Sequence, residues 1–108
     1  MEIISQTETG NCLVNQNNIN EGKVIFQRYG KVVTINGVFH VTTTIAAGYS
    51  VFSLPYRPIG NYVRTVMINY DGTAIRCCGT DDGSIYMLQQ TSPLPPGWYH
   101  FNCAYICL

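Results

Sequence analysis

The sequence predicts an all-β domain, an antiparallel β-sandwich or jelly-roll-like barrel of about seven to eight short strands, on three observations. Apolar and polar residues alternate with a period of two through Lys31–Thr44 and again through Trp98–Cys107. Ten glycines and five prolines fall mostly between such runs, where they end strands and build turns. No helix-start signal precedes an apolar stripe of 3.6-residue period anywhere in the chain.

Residues 1–21 are polar and weakly patterned, with Asn15-Gln16-Asn17-Asn18-Ile19-Asn20 almost entirely amide. They read as a lead-in segment with one short strand at Cys12-Leu13-Val14, and 22–108 as the β-sandwich domain. From Gly22, Val24, Phe26 and Arg28 alternate with Ile25 and Gln27. Lys31–Thr44 puts Val33, Ile35, Phe39 and Val41 on one face and Val32, Thr34, Asn36, Val38, His40 and Thr42 on the other. Gly37 inside this run reads as a bulge or bend. Ile45–Gly48 is a turn and Tyr49–Leu54 a short strand. Pro55 and Pro58 each remove a ladder donor, so Pro55–Gly60 is no central strand. Tyr62–Tyr70 follows, then Asp71-Gly72, a strong hairpin signal, and Thr73–Cys78 pairs back. Asp81–Ser84 is a second turn before Ile85–Leu88. Pro93, Pro95 and Pro96 make Gln89–Gly97 an extended loop. Trp98–Cys107 closes the chain, with Trp98, His100, Asn102, Ala104 and Ile106 on one face and Tyr99, Phe101, Cys103, Tyr105 and Cys107 on the other. Aromatic residues on both faces imply that both faces are covered.

The chain's 108 residues suffice for one domain with one core. Charged residues make up only 11%, against about 25% in a typical soluble domain. That shortfall fits a surface covered by copies of the same chain or built from uncharged polar residues. Six basic and six acidic side chains cancel, whereas a nucleic-acid partner calls for a basic surplus. No apolar run reaches the 18 residues of a membrane span, so no membrane insertion is expected. Met1-Glu2-Ile3-Ile4-Ser5-Gln6 lacks the basic start and apolar stretch of a signal peptide. The five cysteines (Cys12, Cys77, Cys78, Cys103 and Cys107) therefore read as free thiols, mostly buried. Cys77 and Cys78 point to opposite faces of one strand. Cys103 and Cys107 share a face, but about 13 Å of strand separates their Cα atoms, too far for a bond.

Motifs for chemistry are missing. No Cys-x-x-Cys or His-x-x-x-His spacing marks a metal site. His40 and His100 lack the spacing of a Cys–His nucleophile, and no Gly-x-Ser-x-Gly elbow is present. Glu2, Glu8, Glu21, Asp71, Asp81 and Asp82 are the only carboxylates, and turn chemistry accounts for Asp71, Asp81 and Asp82. The glycines are dispersed rather than gathered in a phosphate loop. No catalytic residue, cofactor or metal is expected. Eight tyrosines and one tryptophan instead offer ring faces for sugars beside amides and acids for hydroxyls. Tyr56 and Tyr62, flanking the proline loop, and Asp81, Asp82 and Tyr86, at the second turn, are the candidate binding residues.

Four stretches lie in the order of a known pattern: Arg28–Phe39, with Gly30-Lys31-Val32-Val33; Ala47–Pro58, with Leu54-Pro55-Tyr56-Arg57-Pro58; Asn69–Ile75, with Asp71-Gly72-Thr73; and the closing Trp98–Ile106. Together they span 28–106 and resemble the C-terminal head, or tip, domains of phage tail fibres and related receptor-binding proteins. The resemblance implies a β-sandwich that forms a homotrimer and recognises bacterial surface glycan, folded in the bacterial cytoplasm and carried on the virion tail. The long shaft and anchoring region of a full fibre are absent, which fits a fragment or a stand-alone prophage domain. The family's binding residues vary too much to be carried over. A purely structural tail or baseplate module and a small carbohydrate-active enzyme are the alternatives.

Overall fold

A computed structural model describes residues 7–47, 49–81, 86–90 and 92–107, without the side chains of 50, 61–62, 78–81 and 86–90. Eight strands lie within them: β1 Thr7–Asn11, β2 Ile19–Tyr29, β3 Val32–Val41, β4 Ser50–Ser53, β5 Tyr62–Asn69, β6 Ala74–Asp81, β7 Tyr86–Gln90 and β8 Gly97–Ile106. They hydrogen-bond in the order β1-β2-β3-β8-β5-β6-β7-β4, and every pairing is antiparallel. The fold is all-β, as the alternation predicts.

The sheet folds over because its middle joint is short. β8 pairs with β3 from Gly97 to Ile106, but with β5 only through Met67–Asn69 against Tyr99–Phe101. Beyond that joint the two halves diverge. They meet again on the far side, where Val14 bridges Phe52 of β4. There the Ser53 N–H donates to the Leu13 carbonyl at 2.8 Å and the Asn15 N–H to the Val51 carbonyl at 2.9 Å. Two four-stranded layers, β1-β2-β3-β8 and β5-β6-β7-β4, are thus stitched along both sides into a sandwich with barrel-like closure. Such closure leaves little bare strand edge.

The core fills the space between the layers. Val24, Val33, Ile35, Phe39 and Val41 are fully buried, matching the faces that period-two alternation assigns to β2 and β3. Tyr99, Phe101, Tyr105 and Cys107 supply the β8 side, while Val51, Phe52, Val63, Met67, Ile75 and Cys77 face them from the other layer. Phe39 stacks on Tyr99 with 5.9 Å between ring centres and meets Phe52 of the opposite layer edge-on at 6.5 Å. Phe52 also meets Phe101 edge-on at 5.1 Å.

Several expectations need correcting. The strand of the lead-in segment is Thr7–Asn11, not Cys12–Val14. Residues 12–15 change partners instead, from β2 (Cys12 N–H to the Val24 carbonyl, 2.8 Å) to β4. The amides that follow are used structurally: Asn18 donates from Nδ2 to Thr43 Oγ1 at 2.9 Å, and its carbonyl accepts the Thr42 N–H at 2.7 Å. That holds Thr42–Thr44 outside β3, which ends at Val41. Gly37 is no bulge, since it lies in unbroken register with Val24 and Phe101. The bulge is on β2, between Ile19 and Glu21. Gly37 is needed because a Cβ there would lie 2.8 Å from Val24 Cγ2. Asp81 ends β6 paired with Tyr86, one residue later than a turn from Asp81 requires. The rest of that expected turn lies outside the described residues.

Cys12, Cys77 and Cys107 are buried, Cys103 is half-buried, and none is bridged. Burial, and after it the nearby Cys103, pushes the Cys12 thiol up from 9.0 to about 12. Burial pushes Cys103 up to about 11. Both thiols stay protonated in the folded protein while the unfolded chain begins to ionise near pH 9, so rising pH favours unfolding. Stability present below pH 9 should therefore fall steadily towards pH 12. Urea midpoints measured from pH 6 to 11 should be flat to about pH 8.5 and then decline. Combining Cys12→Ala with Cys103→Ala should flatten the decline. An unchanged slope in that double variant would assign the alkaline loss to other groups.

Candidate functional site

The outer face of β2, β3, β8, β5 and β6 carries the side chains left over from the core. Cross-strand register aligns them in rows: Lys23, Val38, His100, Ile68 and Ala74 in one, Ile25, Asn36 and Asn102 in the next, and Tyr29, Val32 and Ile106 at the far end. Eleven large apolar side chains are exposed among the described residues. Seven of them (Ile25, Tyr29, Val32, Val38, Val66, Ile68 and Ile106) lie on this face, and Tyr70 stands at its rim. Glu21, Lys23, Arg64 and Arg76 are its ionised side chains among the described residues. The core therefore covers only one face of β8, and the described residues do not supply the expected cover over the other.

One end of this face is an aromatic shelf. The His40–Trp98 pair of β3 and β8 brings their rings to 5.1 Å between centres. His40 Nδ1 lies 2.9 Å from Asn20 Oδ1, a hydrogen bond that fixes the imidazole against Trp98. His100 follows Trp98 on the same face and stacks nearly parallel on Tyr70, at 5.8 Å and 17°. Tyr70 rides on the β5–β6 turn, 78% exposed. That turn is rigid: Asn69 Oδ1 accepts the N–H groups of Asp71 and Thr73, and Asp71 Oδ1 accepts from the Thr73 hydroxyl at 2.6 Å and its N–H at 2.9 Å. Chiefly the Thr73 hydroxyl bond holds the Asp71 carboxyl below the usual carboxylate range. Beside Trp98 runs an open groove of about 400 Å³, floored by Gly22 and Gly37 and walled by Lys23, Ile25, Asn36, Val38 and Trp98.

Of the residues singled out from the sequence, Tyr56 falls elsewhere. Tyr56 has its ring face taken by the Arg28 guanidinium, 4.4 Å from the ring centre. Phe26 meets the same ring edge-on at 5.7 Å. Its hydroxyl donates to Glu8 and its carbonyl accepts the Tyr105 hydroxyl at 2.8 Å. Tyr56 thus ties the proline loop across the end of the core, with one ring face against Arg28. Tyr62 opens β5, and Asp81 and Tyr86 form the last pair of β6 and β7; their side chains, and Asp82 altogether, lie outside the described residues. What sequence reasoning misses is the opposition of His40 and Trp98. Trp98, His100 and Asn102 share a strand face by alternation alone, but pairing with His40 depends on a β3–β8 register between residues far apart in the chain. Chemically the shelf can stack and hydrogen-bond. Among the described residues no group of three or more His, Cys, Asp or Glu side chains could hold a metal ion. Comparison with known proteins finds no family model and no curated protein that matches this chain.

Proposed function

We propose that this chain is a binding and assembly domain of the phage tail-fibre tip kind, which forms a homotrimer, recognises bacterial surface carbohydrate and catalyses nothing. The observation that carries the reading is the outer sheet face, apolar and nearly uncharged at one end and aromatic at the other. The four stretches between Arg28 and Ile106 that resemble tip domains point the same way. A row such as Tyr29, Val32 and Ile106, left in water, is the sort of patch that a second copy covers, and a threefold arrangement closes on itself without leaving that patch bare. Val32 and His40 are eight residues apart on β3, which puts about 26 Å between that row and the shelf. One end can pack against copies while the other stays open to ligand on a rigid scaffold.

Light scattering after size exclusion tests the assembly. A trimer mass that persists on dilution is expected, and replacing Ile106 with Glu should reduce it to monomer. A monomer at every concentration in the unaltered protein would sink the trimeric reading. An intact trimer that binds no bacterial glycan would reduce the role to a structural module.

A further inference from the structure

We propose that the outer edge of β1 is a docking strand for a second copy of this chain, which pairs with it antiparallel so that Thr9 faces the partner's Thr9. The contact uses a strand edge, whereas the trimeric reading above uses a sheet face, so either can stand without the other.

Hydrogen-bond parity defines the edge. In an antiparallel ladder, alternate residues turn their N–H and C=O towards one neighbouring strand and the rest turn them away. The Cys12 N–H donates to the Val24 carbonyl. In the β1–β2 register, Glu8, Gly10 and Cys12 therefore bond β2, while Thr7, Thr9 and Asn11 point outward. The outward series continues through Leu13 and Asn15, whose backbone groups meet Ser53 and Val51 of β4. Thr7, Thr9 and Asn11 lie past the end of β4. Among the described residues nothing pairs with their outward backbone groups, and all three are exposed. β1 has no proline, no lysine and no bulge in its pairing with β2, which are common ways of blunting an edge. Its one charge, Glu8, is already engaged: it accepts the Tyr56 hydroxyl and stands opposite Arg28.

Charge selects the partner and the register. A strand that pairs here must offer its own outward groups at a two-residue spacing, as β1 of a second copy does. Facing Thr9 with the partner's Thr9 also pairs Thr7 with the partner's Asn11, and Asn11 with the partner's Thr7. Three facing pairs share about six backbone hydrogen bonds, two to each pair. This setting places Glu8 opposite the partner's Gly10, which brings neither a charge nor a side chain of its own. It also adds a Thr–Thr contact across the strands. Facing Thr7 with the partner's Thr9 instead would set Glu8 against Glu8, like charges directly opposed, and lose a facing pair. Facing Thr9 with the partner's Asn11 loses a pair as well. A strand of five residues covers far less than the ~1,200 Å² of a standing interface, so the pairing is reversible and grows with protein concentration.

Amide hydrogen exchange, followed residue by residue in the full chain at rising protein concentration, tests the proposal. The N–H groups of Glu8 and Gly10 should be protected by β2 throughout. Those of Thr7, Thr9 and Asn11 should exchange freely when dilute and slow by at least about tenfold when concentrated. Thr9→Pro removes only an outward N–H, which an edge strand tolerates, and should abolish the slowing at Thr7 and Asn11. Thr9→Lys and Thr9→Glu should each abolish it too, and an equal mixture of the two should restore it, because opposite charges then face each other. That rescue requires residue 9 to face residue 9, and it keeps the test intact should Thr9→Pro fail to fold. Free exchange of Thr7, Thr9 and Asn11 at every concentration, or slowing that survives Thr9→Pro, would overturn the proposal. Full protection already present in dilute solution would overturn it as well. A mixture that restores nothing would overturn the register. The mass in dilute solution answers separately: a monomer there sinks the trimer, while concentration-dependent slowing at Thr9 in that monomer upholds the edge pairing.

Discussion

Replacing Phe39 with Ala should cost about 3–5 kcal/mol of unfolding free energy, a large share of the roughly 5–15 kcal/mol that holds a typical domain. Phe39 is fully buried where the two layers meet through rings: it stacks on Tyr99 within its own layer and meets Phe52 of the other. Cutting it to Ala leaves a void bounded on both sides by strands that hydrogen bonds keep from collapsing. Urea unfolding of the variant should show a much lower midpoint with little change in slope. Val38→Ala, one residue away on the outer face, should shift stability by no more than about 0.5 kcal/mol. A loss below about 1 kcal/mol for Phe39→Ala, well short of the usual cost of such a truncation, would mean that the layers are not packed through this ring.

The contrast between Phe39 and Val38 also marks what is legible in the amino-acid sequence. Alternation assigns the two residues to opposite faces, and the structure buries one and exposes the other. The same rule places Val33, Ile35 and Val41 inside and separates the two sides of β8. Turn chemistry locates the β5–β6 hairpin at Asp71-Gly72, because a short acidic side chain and a glycine satisfy that backbone locally. These features depend on a few adjacent residues. Features that depend on distant partners are not legible in this way. Cys12–Val14 reads as a strand by composition, yet its hydrogen bonds divide between β2 and β4. Gly37 reads as a bulge by local rule, while its real constraint is the Val24 side chain on a neighbouring strand.

The candidate site follows the same division. Tyr56 is polar, aromatic and loop-borne, which from sequence alone fits a ligand platform. Nothing local shows that Arg28 and Glu8, brought up by the pairing of β1 with β2, already occupy its ring face and hydroxyl. Conversely, His40 stands between Phe39 and Val41, just ahead of a run of threonines, and reads as a solvent-facing strand residue. Register sets it against Trp98 and so builds the back of the groove. Binding surfaces on sheet faces are written in register, and register between β3 and β8 is a property of the whole fold.

Gly22→Ala should be costly, by roughly 2–5 kcal/mol from the sum of backbone strain and steric displacement. Gly22 has φ 88°, in the left-handed region, and a Cβ there would lie 2.0 Å from the Val38 carbonyl oxygen and 2.6 Å from Phe39 Cα. Both contacts are backbone of a paired strand, so no side-chain rotation relieves them. Gly30 provides the control. It has φ 60° in the β2–β3 turn, and a Cβ there would meet nothing within 4 Å, so Gly30→Ala should cost only the conformational penalty of about 1–2 kcal/mol. If both variants lose the same amount in urea unfolding, the close approach of β2 and β3 at the bulge is not what requires glycine. Gly22 also lines the groove, and its neighbour Phe39 anchors the core. A variant that survives must therefore push β3 outward beneath Trp98. Altered Trp98 emission in Gly22→Ala, with unaltered emission in Gly30→Ala, is the expected signature of that movement.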